Sequence, residues 1–475
     1  MKYQKNLIGL LLFSVVGTYF HAQSVSMNFP KFAGKTYDFI LFQGKDSRVQ
    51  KGTIPQDGKF ILEVPKELSP YTGMSRWLIT GTQEGGGLDM IIPGHDFSVE
   101  CLAAMPDNKN IIYKNNTENS LLETEYQHQK KIVDQFTAMS MATKAYSADH
   151  KNYSLYQKEV NSQKASYVSL QKDLQKKNNY ASKFLKIVTV SMGMGGTLED
   201  NEEMNKQELL RTIAEDIQWE AAFTSGHWDG MIAMFTELEK KDDGGTVFTA
   251  DFKRIGDQLS DPKLYMAFAE RVTYYLTQSG HDDIITKLSP VILGSGKIKS
   301  YAGMLAVYQK GTVGGKAPEL VLSLQKDSNL PSGKVDFADP NYRKTLLVFY
   351  RSDCGHCDVL MQELASRQDE IKNSAVRLIA LSADTDRKTF DDELGKLGWK
   401  SAASCDLKGM KGSNFMNYGV QATPTLFVID QTGNIVSRES SVEPALKALS
   451  DPSKELWRKI RRPPRPAVPV QLQKQ

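Results

Sequence analysis

Hydrophobic periodicity changes twice along this 475-residue chain, and those changes constrain its fold more than any other feature. Between about 24 and 115 the apolar residues fall in short runs. They are Tyr37–Phe42, Lys59–Val64, Arg76–Thr80, Leu88–Ile92 and Phe97–Cys101, with turn residues such as Gln56-Asp57-Gly58 between them. Short strands at that spacing predict an antiparallel β-sandwich. From about 116 to 310 the period becomes helical, over Glu118–His150, Tyr153–Lys177, Met204–Phe223, Asp229–Lys240, Pro262–Gln278 and Asp283–Ile292. The glycine cluster Gly193-Met-Gly-Gly196 lacks the Lys-Ser/Thr of a phosphate loop and reads as an interhelical turn. From 311 to 450 strands and helices alternate. The strands are Leu346–Tyr350, Val376–Ser382, Thr425–Asp430 and Ile435–Glu439; the helices are Cys357–Lys372, Lys388–Leu397 and Glu443–Leu449. That is an α/β layer with a mixed sheet. The fold class expected is multidomain: a β-sandwich-like part, an all-α region, then an α/β domain.

The chemistry concentrates in Ser352-Asp353-Cys354-Gly355-His356-Cys357, where an apolar strand gives way to a helix. Helix N-terminal N–H groups favour an anion, so a thiol there is activated. Cys354 is expected to be the nucleophile. Cys357, one helical turn on, would close a disulfide and release a bound partner. Gly355 is expected to let the backbone turn tightly. His356, when protonated, would place positive charge beside the thiolate, and Asp353 would oppose it. A CxxC also occurs in zinc sites and in structural disulfides. Zinc needs two further ligands, and no second CxxC or His pair accompanies this one. The redox-active dithiol is therefore preferred, with no metal or organic cofactor.

A second element, Ala422-Thr423-Pro424-Thr425, leads into a strand. Together with the CGHC segment and the entry segment Gly314-Gly-Lys-Ala-Pro-Glu-Leu320, it resembles the thioredoxin superfamily, especially the TlpA/ResA-like exported thiol–disulfide oxidoreductases. The resemblance covers about 311–450. It implies a thioredoxin-like fold, a cis peptide bond at Pro424, and a groove in which the Thr423 backbone pairs with the substrate chain. Departures from the pattern are specific. Asp353 stands where thioredoxins usually carry Trp. Val348 replaces a buried Asp, and Leu360 replaces a Glu common in TlpA/ResA-like members, with Glu363 one turn further on. The proton acceptor for Cys357 is thus unassigned. Arg351 occupies the position where peroxiredoxins need threonine, which argues against peroxidase activity.

Cys101 and Cys405 could pair with each other or remain buried thiols, and unpaired structural thiols are the preferred reading; a resolving role for Cys405 is the lesser alternative. Cys405 is expected in a loop.

The N-terminus carries Lys2 and Lys5, an apolar run from Leu7 to Val16, and His21-Ala22-Gln23. That order is a secretory signal over 1–22, cleaved after Ala22, and it predicts an exported, periplasmic protein. The net charge is +3, yet from Ser453 onward seven Lys/Arg face one Glu. With that tail and the first two lysines removed, the body is acidic, which argues against nucleic-acid binding. The proline-rich tail, 451–475, offers a contact for an anionic surface. Expected partners are exported cysteine-containing proteins and a separate electron donor or acceptor, a membrane-bound one among the candidates. Two rival readings are a non-enzymatic interaction protein with a structural CGHC disulfide, and a specialised reductase of cytochrome c maturation.

Overall fold

In the N-terminal region, eight strands pair into two four-stranded sheets: β1 (Ser24–Asn28), β2 (Thr36–Gln43), β3 (Asp46–Thr53), β4 (Lys59–Glu63), β5 (Thr72–Thr80), β6 (Gly87–Pro93), β7 (Phe97–Glu100) and β8 (Ile112–Lys114). This is a computed structural model, and it describes residues 23–82, 85–238, 245–323 and 332–450. The signal expected over 1–22 and the basic tail over 451–475 lie outside the described residues.

The sheet orders are β4-β1-β7-β8 and β3-β2-β5-β6. Side chains of both sheets share one core, including Val25, Met27, Phe39, Leu41, Trp77, Met90 and Val99. Alternation along β1, β2 and β7 sends every second side chain into it. The expectation of purely antiparallel pairing is corrected at one place: β1 and β7 run parallel, with Val25 opposite Phe97. β1 also pairs antiparallel with β4, so it lies inside its sheet. β3 escaped sequence reading because Asp46–Thr53 is mostly polar and exposed. It exists as the hairpin partner of β2, in register from Thr36↔Thr53 to Gln43↔Asp46.

The described residues divide into two compact units. The first holds these sheets, α1 (Glu118–Ala145), α2 (Tyr153–Lys176) and α3 (Tyr180–Ser191), together with the returning segment Ala221–Trp228. That segment joins the sheets through main-chain bonds from Gly44 N–H to Phe223 O, 2.7 Å, and from Met74 N–H to Thr224 O, 2.9 Å. The helices expected over 116–310 are therefore shared between the units.

The second unit holds Asn201–Glu220 and the chain from Asp229 onward. Its helical part has α4 (Glu202–Arg211), the start of α5 (Trp219–Phe223), α6 (Trp228–Leu238, from Asp229), α7 (Thr246–Gln258), α8 (Pro262–Gln278) and α9 (Asp282–Gly294). The continuous helix expected over Met204–Phe223 is broken. Its α-helical part ends at Arg211, a π turn covers Thr212–Asp216, and Ile217 is extended. The buried Trp219 donates its indole N–H to Ile213 O at 3.1 Å, taking the carbonyl that a continuing helix would have used.

The rest of this unit is a five-stranded sheet. After the two-residue strands β9 (Val321–Leu322) and β10 (Gly333–Lys334) come β11 (Lys344–Tyr350), β12 (Val376–Ser382), β13 (Ala402–Cys405), β14 (Thr425–Asp430) and β15 (Ile435–Glu439). The order is β13-β12-β11-β14-β15. β11, β12 and β13 run parallel; β14 and β15 are antiparallel to their neighbours. β11 is wholly buried because both faces are covered. Leu346, Val348 and Tyr350 face one core, and Leu347 and Phe349 face the other. The helices are α10 (Gly355–Ser366), α11 (Gln368–Asn373), α12 (Arg387–Leu397), α13 (Ser413–Tyr418) and α14 (Val442–Ser450). Cys405 is thus corrected from loop to strand end, opposite Ser382. Ala402-Ala-Ser-Cys405 lacks the β-branched and aromatic residues that mark strands. The helix expected over Cys357–Lys372 starts two residues earlier and breaks at Arg367.

Candidate active site

Strand direction decides where the site lies. β11, β12 and β13 all end at one edge of the sheet, and β14 begins there. Tyr350, Ser382 and Cys405 stand in one row, with Thr425 opposite Phe349. The carboxyl ends of parallel strands are where an open α/β sheet leaves its loops free for chemistry. The CGHC loop and the Thr423–Pro424 segment therefore meet.

Cys354 is the N-cap of α10, half-buried, with extended backbone (φ −119°, ψ 110°) and no capping bond from its side chain. Its thiol donates to Thr423 O at 3.6 Å. Cys357 lies in the first turn of α10 and is fully buried. Burial is the main force on its thiol and pushes its pKa up to about 12, and the adjoining Cys354 thiol adds to the rise. The Thr423 side chain and the Arg351 main chain pull the other way. Thr423 thus touches both sulfurs, the first through its carbonyl and the second through its side chain. The Thr423–Pro424 peptide bond is cis. Both cysteines are free thiols.

The neighbours divide differently from expectation. Asp353 is exposed and ion-paired with Arg351, so its charge is matched locally. His356 is exposed in the first turn of α10. Gly355 is corrected: it is the first helical residue, its φ lies outside the left-handed region, and a Cβ there would meet open space. The turn itself does not call for glycine. Val348 and Leu360 are core residues, and Glu363 pairs with Arg367 at 3.2 Å. Among the described residues, no group of three or more His, Cys, Asp or Glu side chains is placed to hold a metal.

Sequence reading missed Asp384. This buried residue follows β12 and accepts from Ser352 N–H at 3.0 Å (Oδ1) and from Ser352 Oγ at 2.6 Å (Oδ2). Ser382 Oγ also donates to its Oδ2, at 2.6 Å. Its own N–H goes to Ser382 Oγ at 2.9 Å, and its carbonyl accepts the Cys405 thiol at 3.2 Å. The sequence shows only Ser382-Ala-Asp384 at the end of an expected strand; strand order alone places it beside the dithiol. Cys101 and Cys405 are both unpaired thiols. Burial raises the pKa of Cys405.

A family model described as Redoxin matches residues 312–452. Over 149 residues the chain is 26% identical to the thiol-disulfide oxidoreductase ResA of Bacillus thuringiensis (strain Al Hakam), covering 31% of this chain and 81% of the relative. The ResA of Bacillus anthracis matches with the same identity and coverage. Among solved structures, a thiol-disulfide oxidoreductase from Bacteroides fragilis NCTC 9343 is 26% identical and covers 30% of this chain and 99% of that one, with a TM-score of 0.25. The C-terminal domain is a thioredoxin-superfamily domain, and the protein is a thiol–disulfide oxidoreductase. Within that superfamily the domain is TlpA/ResA-like.

Proposed function

We propose that this protein exchanges disulfides with exported cysteine-containing proteins, using Cys354 as nucleophile and Cys357 as resolving thiol. One observation carries the reading: a half-exposed thiol caps α10 against Thr423 O, while its partner lies buried one turn on. The Cys354 thiolate attacks one sulfur of a substrate disulfide. The S–S bond breaks, a mixed disulfide forms, and the departing substrate thiolate takes a proton. Cys357 then loses its proton and attacks Cys354 Sγ, which releases the second substrate thiol and closes Cys354–Cys357. Two electrons pass to the substrate, and an external dithiol must return them; run in reverse, the same steps oxidise a substrate dithiol.

The Thr423 carbonyl supports substrate pairing. The bond it accepts from the Cys354 S–H disappears when that sulfur enters a mixed disulfide, which frees the carbonyl for a substrate N–H. Thr423 and Pro424 thereby shape the groove, and His356 and Asp353 sit at its exposed rim as tuning charges. Residues 1–22 act as the export signal, placing the protein in the periplasm, where a membrane-bound partner recycles it. The basic tail contacts an anionic surface. The two-sheet sandwich and the helical region select partners rather than perform the exchange. No helix among the described residues is long and apolar enough to cross a membrane.

The experiment is trapping with Cys357→Ser. Without a resolving thiol, mixed disulfides on Cys354 should accumulate and be released by reductant. A Cys357→Ser protein that traps no partner, in cells whose exported proteins carry disulfides, overturns this assignment and favours a structural CGHC.

A further inference from the structure

We propose that Asp384 is a positioning residue for the dithiol: it holds the turn that delivers Cys354, and so sets the balance between dithiol and disulfide. The inference rests on the reading of Cys354 and Cys357 as the redox site.

Asp384 is 6% exposed, and no Lys or Arg among the described residues forms an ion pair with it. A buried carboxylate without a cation is costly unless its oxygens are filled by hydrogen bonds. Three donors fill them here, and two belong to one residue, Ser352. A main-chain N–H and a side-chain hydroxyl from the same residue fix both its place and its orientation. Ser352 stands two positions before Cys354, with only Asp353 between them. Asp353 and Arg351 are themselves exposed, so they cannot hold the turn from outside. The clamp on Ser352 is a buried attachment between β11 and the first turn of α10, alongside the main-chain contact of Arg351 with Cys357. The hydrogen bond it positions runs from the Cys354 thiol to Thr423 O at 3.6 Å.

That last bond exists only in the reduced form, because a disulfide sulfur carries no hydrogen to donate. Holding Cys354 against Thr423 therefore stabilises the dithiol relative to the disulfide. Releasing Ser352 removes this preference and shifts the equilibrium toward the disulfide. The remaining donor to the carboxylate, Ser382, lies at the end of β12 and does not touch the CGHC turn. It supplies a control for a role that is only structural.

The test is the dithiol–disulfide equilibrium constant of the full chain in a glutathione series, read by alkylation and mass spectrometry of Cys354 and Cys357. Ser352→Ala keeps the charge of Asp384 and removes one of the two clamps. It should move the constant about tenfold toward the disulfide, which for a two-electron couple is about 30 mV. Asp384→Ala should move it at least as far, and Asp384→Asn, which retains one acceptor for Ser352 N–H, should fall between. Ser382→Ala should change it less than threefold. If Asp384→Ala does not fold, Ser352→Ala and Asp384→Asn carry the decision. Constants within twofold of the unaltered protein for both would overturn the proposal, as would a Ser382→Ala shift equal to that of Ser352→Ala. An unaltered protein whose pair never forms a disulfide would overturn the redox reading itself, and this inference with it.

Discussion

Above pH 9 the reduced protein should lose stability in part through the Cys357 thiol, whose contribution a Cys357→Ala comparison isolates. Its pKa is about 12 in the folded protein, against an ordinary value of 9.0, with burial as the leading cause. The unfolded chain therefore releases this proton at lower pH than the folded one. Where the unfolded state binds fewer protons, stability falls as pH rises. The window opens near the ordinary thiol value and closes near the folded one. At pH 10 the linkage relation gives between about 1 and 2 kcal/mol, and at pH 8 almost nothing. Solvent reaching the half-exposed Cys354 beside it screens part of this, leaving about 1 kcal/mol. The assay is urea unfolding of the reduced protein at pH 8 and pH 10, scored by labelling of Cys405, a buried thiol in the same domain. The comparison is with Cys357→Ala. That variant has its own cavity cost, but a cavity does not titrate. Buried tyrosines such as Tyr350 and Tyr418, also raised by burial, contribute equally to both proteins and cancel. The unaltered protein should lose about 1 kcal/mol more than Cys357→Ala between the two pH values. Parallel losses, within about 0.3 kcal/mol of each other, would refute the assignment of the shift to this sulfur.

Two further outcomes follow from named contacts. In Cys354→Ala the Cys357 thiol should titrate below its value in the unaltered protein, because the neighbour that adds to the rise is gone; the pH dependence of Cys357 alkylation, followed by mass spectrometry, checks this. Arg438 and Asp282 form a 2.7 Å ion pair with both side chains buried, joining β15 to α9. Arg438→Met should cost about 3–5 kcal/mol in denaturant unfolding by stranding a buried carboxylate, and Arg438→Met with Asp282→Leu should recover most of it.

The sequence made the C-terminal sheet legible because its strands are long apolar runs buried on both faces. Val376–Ser382, Thr425–Asp430 and Ile435–Glu439 match their expected bounds. Strands whose existence depends on a partner were not legible. β3 is polar and is held by its hairpin with β2, and β13 is four small residues held by the register of β12. The break between α4 and α5 was equally hidden, since it depends on an indole N–H finding a carbonyl six residues back. At the site, CGHC could be read from its place where a strand gives way to a helix, and Thr-Pro through its resemblance to the thioredoxin superfamily. Asp384 could not, because its link to Ser352 spans 32 positions and arises from strand order alone. Gly355 was read with the wrong reason attached, since a small residue inside a motif does not reveal whether its φ or its surroundings require it.

The buried position of Cys357 raises a question that its surroundings also answer. Burial holds the Cys357 thiol protonated at neutral pH, which disfavours its attack at rest. That protects the half-open site from closing prematurely or reacting with the wrong partner. No carboxylate is among the groups that act on it, and Val348 and Leu360 occupy the places where one was sought. Part of the rise, however, comes from Cys354 itself, through its hydrogen bond and its charge. Once Cys354 is bound to a substrate sulfur, it holds neither proton nor charge, and both contributions vanish. The Thr423 side chain and the Arg351 main chain, which favour the thiolate, remain in place. The first step thus lowers the barrier to the second. The substrate thiolate released beside the mixed disulfide is itself a base of ordinary thiol strength, able to take the proton that Cys357 must lose. On the mechanism proposed above, the order of events, attack by Cys354 and then resolution by Cys357, is favoured by how the two sulfurs are buried.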